Sequence, residues 1–389
     1  MILMRIDKYI LWLIILGLGI KLALFIHIAF VNPSSMMQND SYGYLNDANA
    51  WAHYFNQPAE GLKHSLYRTP GYSLFLAIFH LYFNLPLLSI VFLQIVLNVV
   101  TAIVVYKTVV LADRQVGLLS AAIVLLDLPT TIFSSMVLTE SLHLFVFSLC
   151  IFAFVKYINH RKIFWLAGAA ILLVITVYIR PVGYYLGTAV AGYTLYLWGR
   201  NIATGLIHAI LVLVLVYGLL GIWQYHNLKV FDKFIFSNID NATVHMNGVI
   251  GRYSRETDPK LKAMPAPLYY VVSVGDNFLD LMTAPGNMKD FHSKGWKIFG
   301  EGFGYLFVVF WWIGLIAGLV FCRDDLVGQF LVLVLVYLMA ISIVSTGWHV
   351  TPRFRVPMLP SIAILSARGW MALFKNPLII DAKKVKVKT

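Results

Sequence analysis

The chain has 389 residues, of which 60% are apolar and only 12% charged, with a formal net charge of +12. An ordinary soluble domain carries about 25% charged residues, so a water-soluble globule is excluded, and the same apolar excess excludes a disordered chain. Two cysteines, far apart in apolar runs, exclude a disulfide scaffold, which leaves a polytopic membrane protein.

A bilayer span needs about 20 apolar residues at a rise of about 1.5 Å each. Runs of that kind lie at 9–31, 87–108, 117–136, 140–158, 163–179, 182–199, 203–225, 303–322, 326–346 and 356–374. They predict an all-α membrane bundle of about ten spans. The first run is too long for a signal-peptide core and has no small-residue cleavage site, so it is expected to stay as an anchor.

Charge then orients the bundle, because inward-facing loops collect Lys and Arg. With the N-terminus inside, the inner flanks hold Arg5, Lys8, Lys107, Arg114, Lys156, Arg161, Lys162, Arg200, Arg323, Arg368 and Lys375. Both termini are then cytoplasmic in a cell (inner) membrane. Residues 1–374 form one transmembrane domain, and 375–389 form a basic tail facing anionic lipid rather than nucleic acid. Long loops at about 32–86 and 226–302 fall outside, where chemistry at the periplasmic face is expected.

In the first loop, Tyr44, Leu45, Ala48, Trp51, Ala52 and Phe55 have the spacing of a one-sided interfacial helix. Asp40 opens it, either as an N-cap or as a general base at the membrane surface. A second short helix is predicted from Pro70 with Thr69 as its cap. Arg68, just before that N-terminus, suits an anion or a lipid phosphate. Glu140 opens the fourth span, with His143 on the same helical face and the more structural Asp127 nearby. Arg180, Arg353 and Arg355 are the positive charges in short outer turns, where topology disfavours them. A negative partner is therefore expected, either a substrate phosphate or outer-leaflet headgroups. Lys21 and His27 interrupt the first span and are expected to face the bundle. The histidines show no paired metal-ligand spacing, and Gly300-Glu301-Gly302-Phe303-Gly304 precedes a span rather than following a strand, against a phosphate loop.

The ordered set Asp40-Ser41-Tyr42-Gly43-Tyr44, Arg68-Thr69-Pro70-Gly71-Tyr72, Thr139-Glu140, Arg180-Pro181 and Arg353-Phe354-Arg355-Val356-Pro357 resembles the GT-C superfamily of integral-membrane glycosyltransferases. The likeness is to the bacterial branch akin to protein O-mannosyltransferases and lipid A aminoarabinose transferases, over most of 9–365. The resemblance implies an inverting transferase that moves a hexose or pentose from a polyprenyl-phosphate donor to a hydroxyl on a glycan, lipid or protein. It implies that Asp40 is the base and that Glu140 orients a substrate. Arg68, Arg180, Arg353 and Arg355 would hold the donor phosphate, and Tyr42, Tyr44, Tyr67, Tyr72 and His143 would line the donor or acceptor pocket. Family members often carry an acid pair in the first loop. Here Ser41 follows Asp40, which speaks against a metal role based on adjacent acids, and a divalent cation, Mg or Mn, is left as an open cofactor option.

Other readings predict different features. A glycan ligase or polymerase would place its chemistry in the second loop, at His245, Arg252, Arg255 or His292. A lipid or sugar flippase would carry mid-bilayer charges and internal pseudo-symmetry. In a non-catalytic scaffold the border arginines would not matter.

Overall fold

A computed structural model describes residues 8–199, 201–238, 263–285, 294–321, 325–346 and 351–375. The described residues form helices and turns without strands. The long first helix, α1 (Lys8–Phe30), fully buries only Ile10, Gly17, Lys21 and Ile28, a single stripe, and leaves the rest half-buried or exposed. Gly17 permits the contact, since a Cβ there would lie 2.8 Å from Leu125 Cδ2.

Two interfacial helices follow, α2 (Asn39–Asn56) and α3 (Pro70–Leu76), the latter continuing into a π-helical turn at Ala77–Tyr82. Thr69 precedes α3 in extended conformation, as expected of a cap, but its hydroxyl does not bond the helix; it donates to the Ile179 carbonyl at 3.0 Å. The chain then runs through α4 (Leu87–Val109) and α5 (Arg114–Leu126), which bends by 54° into α6 (Leu128–Ser134). Asp127 makes that break structural: its carboxylate accepts the Thr130 amide at 3.0 Å, starting α6 afresh. Next come α7 (Glu140–His160), α8 (Ile163–Ile179), α9 (Leu186–Leu197) and α10 (Ile202–Phe231). The C-terminal part contributes α11 (Ala266–Thr283), α12 (Lys294–Phe321), α13 (Leu326–Thr346), a 3-10 turn at Pro352–Met358 and α14 (Leu359–Lys375).

All ten predicted apolar runs are helical, but they are not equivalent. Among the described residues, seven helices are long and apolar enough to cross a bilayer, or eight if the bent α5–α6 pair counts as one span. The 17 residues of α8 fill their predicted run but fall short of the about 20 that a span needs, and the 12 of α9 are shorter than the run at 182–199. Arg180-Pro181 ends α8 at the predicted boundary, because proline disfavours helix at the residue before it, and a short 3-10 turn replaces the start of the expected next span.

The two ends of the bundle differ in what they collect. Arg114 covers the Tyr9 ring at 5.1 Å, Lys375 pairs with Asp113 at 2.6 Å, and Arg368 pairs with Asp325. These contacts gather the start of α1, the α4–α5 turn, the start of α13 and the end of α14 at one end. The other end holds α2, α3, the start of α7, the end of α8 and the 3-10 turn before α14.

Candidate active site

Backbone pairing explains why Asp40 and Glu140, remote in sequence, are neighbours. The Val137 amide donates to the Met36 carbonyl at 2.9 Å, and the Ser41 hydroxyl donates to the Val137 carbonyl at 2.8 Å. The segment leading into α2 is thus laced to the turn before α7. Ser41 also accepts the Gln38 amide at 2.9 Å, so Gln38, not Asp40, is the cap of α2. That replaces the capping reading of Asp40, whose side chain is left to make other contacts. From below, Gln94 donates to the Met136 carbonyl at 2.5 Å and accepts the Tyr72 hydroxyl at 2.6 Å.

A second junction brings Arg68 to Arg180. Thr69 bonds the Ile179 carbonyl, and Gly71 lies so close to α8 that a Cβ would sit 2.7 Å from the Tyr178 backbone. Only a residue without a side chain permits that approach. The turn before α14 then delivers Arg353.

These elements build one charged cluster. Arg68 Nη2 donates to Asp40 Oδ1 at 3.1 Å, and Arg353 Nη1 donates to Asp40 Oδ2 at 2.5 Å. Arg353 Nε also donates to Glu140 Oε1, which accepts Arg180 Nη1 at 2.8 Å. Arg353 therefore bridges both carboxylates. Glu140 is 1% exposed, whereas Asp40 is 39% exposed. Three guanidiniums against two carboxylates leave the cluster one positive charge in excess.

Burial pushes the Asp40 carboxyl up, but the Arg353 and Arg68 guanidiniums outweigh it and hold the group below the usual carboxylate range. Asp47, about two turns along α2, goes the other way: burial raises it, only partly offset by the Ser65 amide and the Arg68 charge. Asp40 is therefore ionised at neutral pH.

The remaining predicted residues divide. The Arg68 guanidinium lies over the Tyr44 ring at 4.3 Å and within 5.7 Å of the Tyr67 ring, and Tyr44 meets Tyr72 edge-on at 5.0 Å. Tyr42 is exposed. His143 is buried one turn below Glu140, against Phe147 at 5.7 Å. Arg355 does not join the cluster. Fully buried, it donates through Nη1 to the Leu281 and Ala284 carbonyls at 3.1 and 3.0 Å and lies over the Trp311 ring at 5.4 Å. It ties the end of α11 to the bundle. Lys21 faces the bundle as expected and donates to Thr131 at 2.8 Å, while His27 is only half-buried.

Two contributors escaped the sequence reading. Gly43 makes room for the guanidinium, since a Cβ there would collide with Arg68 Nε; a glycine inside an amphipathic helix was the available signal. Phe354 lies 5.8 Å from the Arg180 guanidinium. The carboxylates do not fit a divalent cation. Arg353 occupies both, and no group of three His, Cys, Asp or Glu that could hold a metal occurs among the described residues. His245, Arg252, Arg255 and His292 lie outside the described residues.

Residues 67–223 match the dolichyl-phosphate-mannose-protein mannosyltransferase family; the matched stretch contains Arg68, Glu140 and Arg180. In structure, the chain resembles the apo oligosaccharyltransferase of Archaeoglobus fulgidus, with a TM-score of 0.55 at 12% identity over 98% of this chain. The fold is GT-C. A second structure, the oligosaccharyltransferase AglB of Archaeoglobus fulgidus in complex with an inhibitory peptide and a dolichol-phosphate, gives a TM-score of 0.57 at 12% identity over 98% of this chain. The chain spans about half, 52%, of the length of either of these proteins. No curated protein matches it in sequence. The expected GT-C membrane architecture is thus present, with the charged cluster at one end of the GT-C bundle.

Proposed function

We propose that the protein is an inverting glycosyltransferase that moves a hexose or pentose from a polyprenyl-phosphate donor to a hydroxyl on a glycan, lipid or protein at the outer face of the membrane. The observation that carries this reading is the shared cluster of Asp40, Glu140, Arg68, Arg180 and Arg353, with its surplus positive charge, at one end of an apolar bundle. The family match over 67–223 and the GT-C fold support it. So does the similarity to AglB, a protein whose complex holds a dolichol-phosphate and an inhibitory peptide.

The chemistry follows from the arrangement. The donor phosphate enters the cation-rich cluster and draws the Arg68 and Arg353 guanidiniums toward it. Losing those partners, Asp40 regains basicity. The acceptor oxygen attacks the anomeric carbon in line, its proton passing to the Asp40 carboxylate. The bond from that carbon to the phosphate oxygen breaks, and the electron pair stays on the phosphate. The guanidiniums stabilise the charge that develops there. Glu140, buried between Arg180 and Arg353, fixes both bases in position.

Residues 1–374 act as a single catalytic domain in this reading, with the termini cytoplasmic. Reporter fusions at Lys63 and Lys162 test the orientation, and an outward Lys162 overturns it. The activity is tested in vesicles supplied with polyprenyl-phosphate sugar, at matched membrane levels of protein. Asp40→Asn is expected to abolish transfer, and full transfer by that variant rejects the base.

A further inference from the structure

Arg68 is carried by residues 61–69, a stretch with neither helix nor strand between the turn at Pro58–Glu60 and α3. Gly61 starts it at φ 74°, a conformation glycine adopts without steric cost. Burial then alternates, with Leu62 and His64 buried and Lys63 and Ser65 exposed, the period of an extended chain. Such a strap has no ladder of its own, so the groups that bond its backbone and side chains decide where it lies.

Its anchors come from several elements. His64 Nε2 donates to Asn227 Oδ1 at 3.1 Å; Asn227 Nδ2 is engaged by the Ile235 and Phe236 carbonyls at 2.9 and 3.0 Å, which fixes Oδ1 as the acceptor. The Leu66 carbonyl accepts the Asn238 amide at 2.8 Å, and Thr69 bonds the end of α8. The anchor on α2 is Asp47, 7% exposed, whose Oδ1 accepts the Ser65 amide at 2.9 Å. The Ser65 hydroxyl accepts the Tyr67 amide at 3.0 Å, and Arg68 is the next residue. Asp47 stands seven residues after Asp40, about two turns on and on the same face of α2. The helix therefore grips the strap twice, at the guanidinium through Asp40 and at the backbone three residues upstream through Asp47.

We propose that Asp47 is a positioning residue for the donor phosphate: through the Ser65 amide it holds the strap where Arg68 reaches both Asp40 and the phosphate. This rests on the transferase reading above and deepens it, since Asp47 touches neither substrate nor the reacting atoms. Because Asp47 shares a helix with the base, it fixes the spacing between Asp40 and the backbone that bears Arg68. A long arginine side chain on an unanchored strap would be ordered only when the phosphate arrives, and anchoring it beforehand strengthens binding.

The test measures binding of polyprenyl phosphate and sugar transfer in Asp47→Ala, Asp47→Asn and the exposed Ser65→Ala, each with Arg68 present and in an Arg68→Ala background. Asp47→Ala is expected to weaken binding about tenfold and to raise the donor KM in parallel. Asp47→Asn, whose amide oxygen still accepts from Ser65, should stay within about twofold of wild type. Ser65→Ala removes only the bond to the Tyr67 amide and should weaken binding about threefold. Without Arg68 none of the three should change binding further, whereas thermal unfolding in detergent should register the lost Asp47 bond in both backgrounds. Weakening that persists without Arg68, Asp47→Asn as weak as Asp47→Ala, or unaltered binding in Asp47→Ala overturns the inference. If Asp47→Ala does not fold, Ser65→Ala decides: weakening that requires Arg68 supports the role, and unaltered binding overturns it. Phenylglyoxal labelling of Arg68, read by mass spectrometry, needs no substrate. It should rise in Asp47→Ala and not in Asp47→Asn, and an unaltered extent in both overturns the inference. Wild-type protein that binds polyprenyl phosphate yet moves no sugar rejects the transferase reading, while the binding and labelling comparisons still decide the role of Asp47.

Discussion

At the end of the bundle that holds Asp113 and Asp325, each carboxylate has its own base, Lys375 and Arg368. At the other end Arg353 serves Asp40 and Glu140 together, while Arg68 and Arg180 each take a second hold on one of them. The first arrangement is neutral and complete. It fastens the turn before α5 to the end of α14 and the start of α13 to α14, and an incoming ion gains nothing from it. The second is unbalanced toward cation and largely withdrawn from water, where electrostatic interactions strengthen. Bidentate, redistributable arginine contacts suit phosphate. The contrast teaches that an ion pair's stoichiometry and burial, more than its presence, distinguish a structural clasp from a chemical site.

Breaking the shared cluster should have the largest effect. Arg353→Ala removes the bridge and is expected to lower transfer by about 10²–10³-fold, the usual loss for one preorganised donor; vesicle assays at matched protein levels measure it. Gly43→Ala acts indirectly, pushing the Arg68 guanidinium off Asp40. A misplacement of that kind should cost about tenfold in kcat/KM, and an unaltered value would show that Arg68 need not stay where it is.

Arg355→Ala sharpens the contrast differently. It strips a buried donor from the Leu281 and Ala284 carbonyls, so about 1–3 kcal/mol of stability should be lost, with KM for the donor unchanged. Thermal unfolding in detergent reads the first and steady-state kinetics the second.

The pH profile follows from Asp40. Burial raises its carboxyl, and the guanidiniums lower it further than burial raises it, to below its ordinary value of 3.8. Its contribution to stability is therefore complete above that ordinary value and lost only as pH falls through the depressed one. Because kcat/KM reports the free enzyme, it should show no acid limb from Asp40 between about pH 5 and 7. In Arg353→Ala, the residual activity should show that limb at higher pH. The smallest effect is expected at the other end, where Lys375→Ala breaks an exposed pair. A change of about 0.5 kcal/mol or less and unaltered transfer would mark that clasp as separate from the site.

Much of this architecture was legible in the sequence. The apolar runs, the interfacial helix after Asp40 and the helix start at Pro70 all depend on local spacing. The border arginines also signalled a missing negative charge, although the chain itself supplies it through Asp40 and Glu140. Arg353 and Arg355 could not be told apart by the same logic. They share one motif, but a 3-10 turn of about three residues sends side chains two apart in different directions. One reaches the cluster and the other the end of α11.

The sequence by itself determined which segments are helical and apolar, because helix formation and burial in lipid are decided over a few turns of chain. Only the tertiary structure decided which charges meet. Arg353 and Asp40 stand 313 residues apart, and their contact depends on α2 being laced to the turn before α7. Arg68 reaches the same place through the close approach of α3 to α8 at Gly71. Those are packing contacts between distant segments, and no local pattern encodes them.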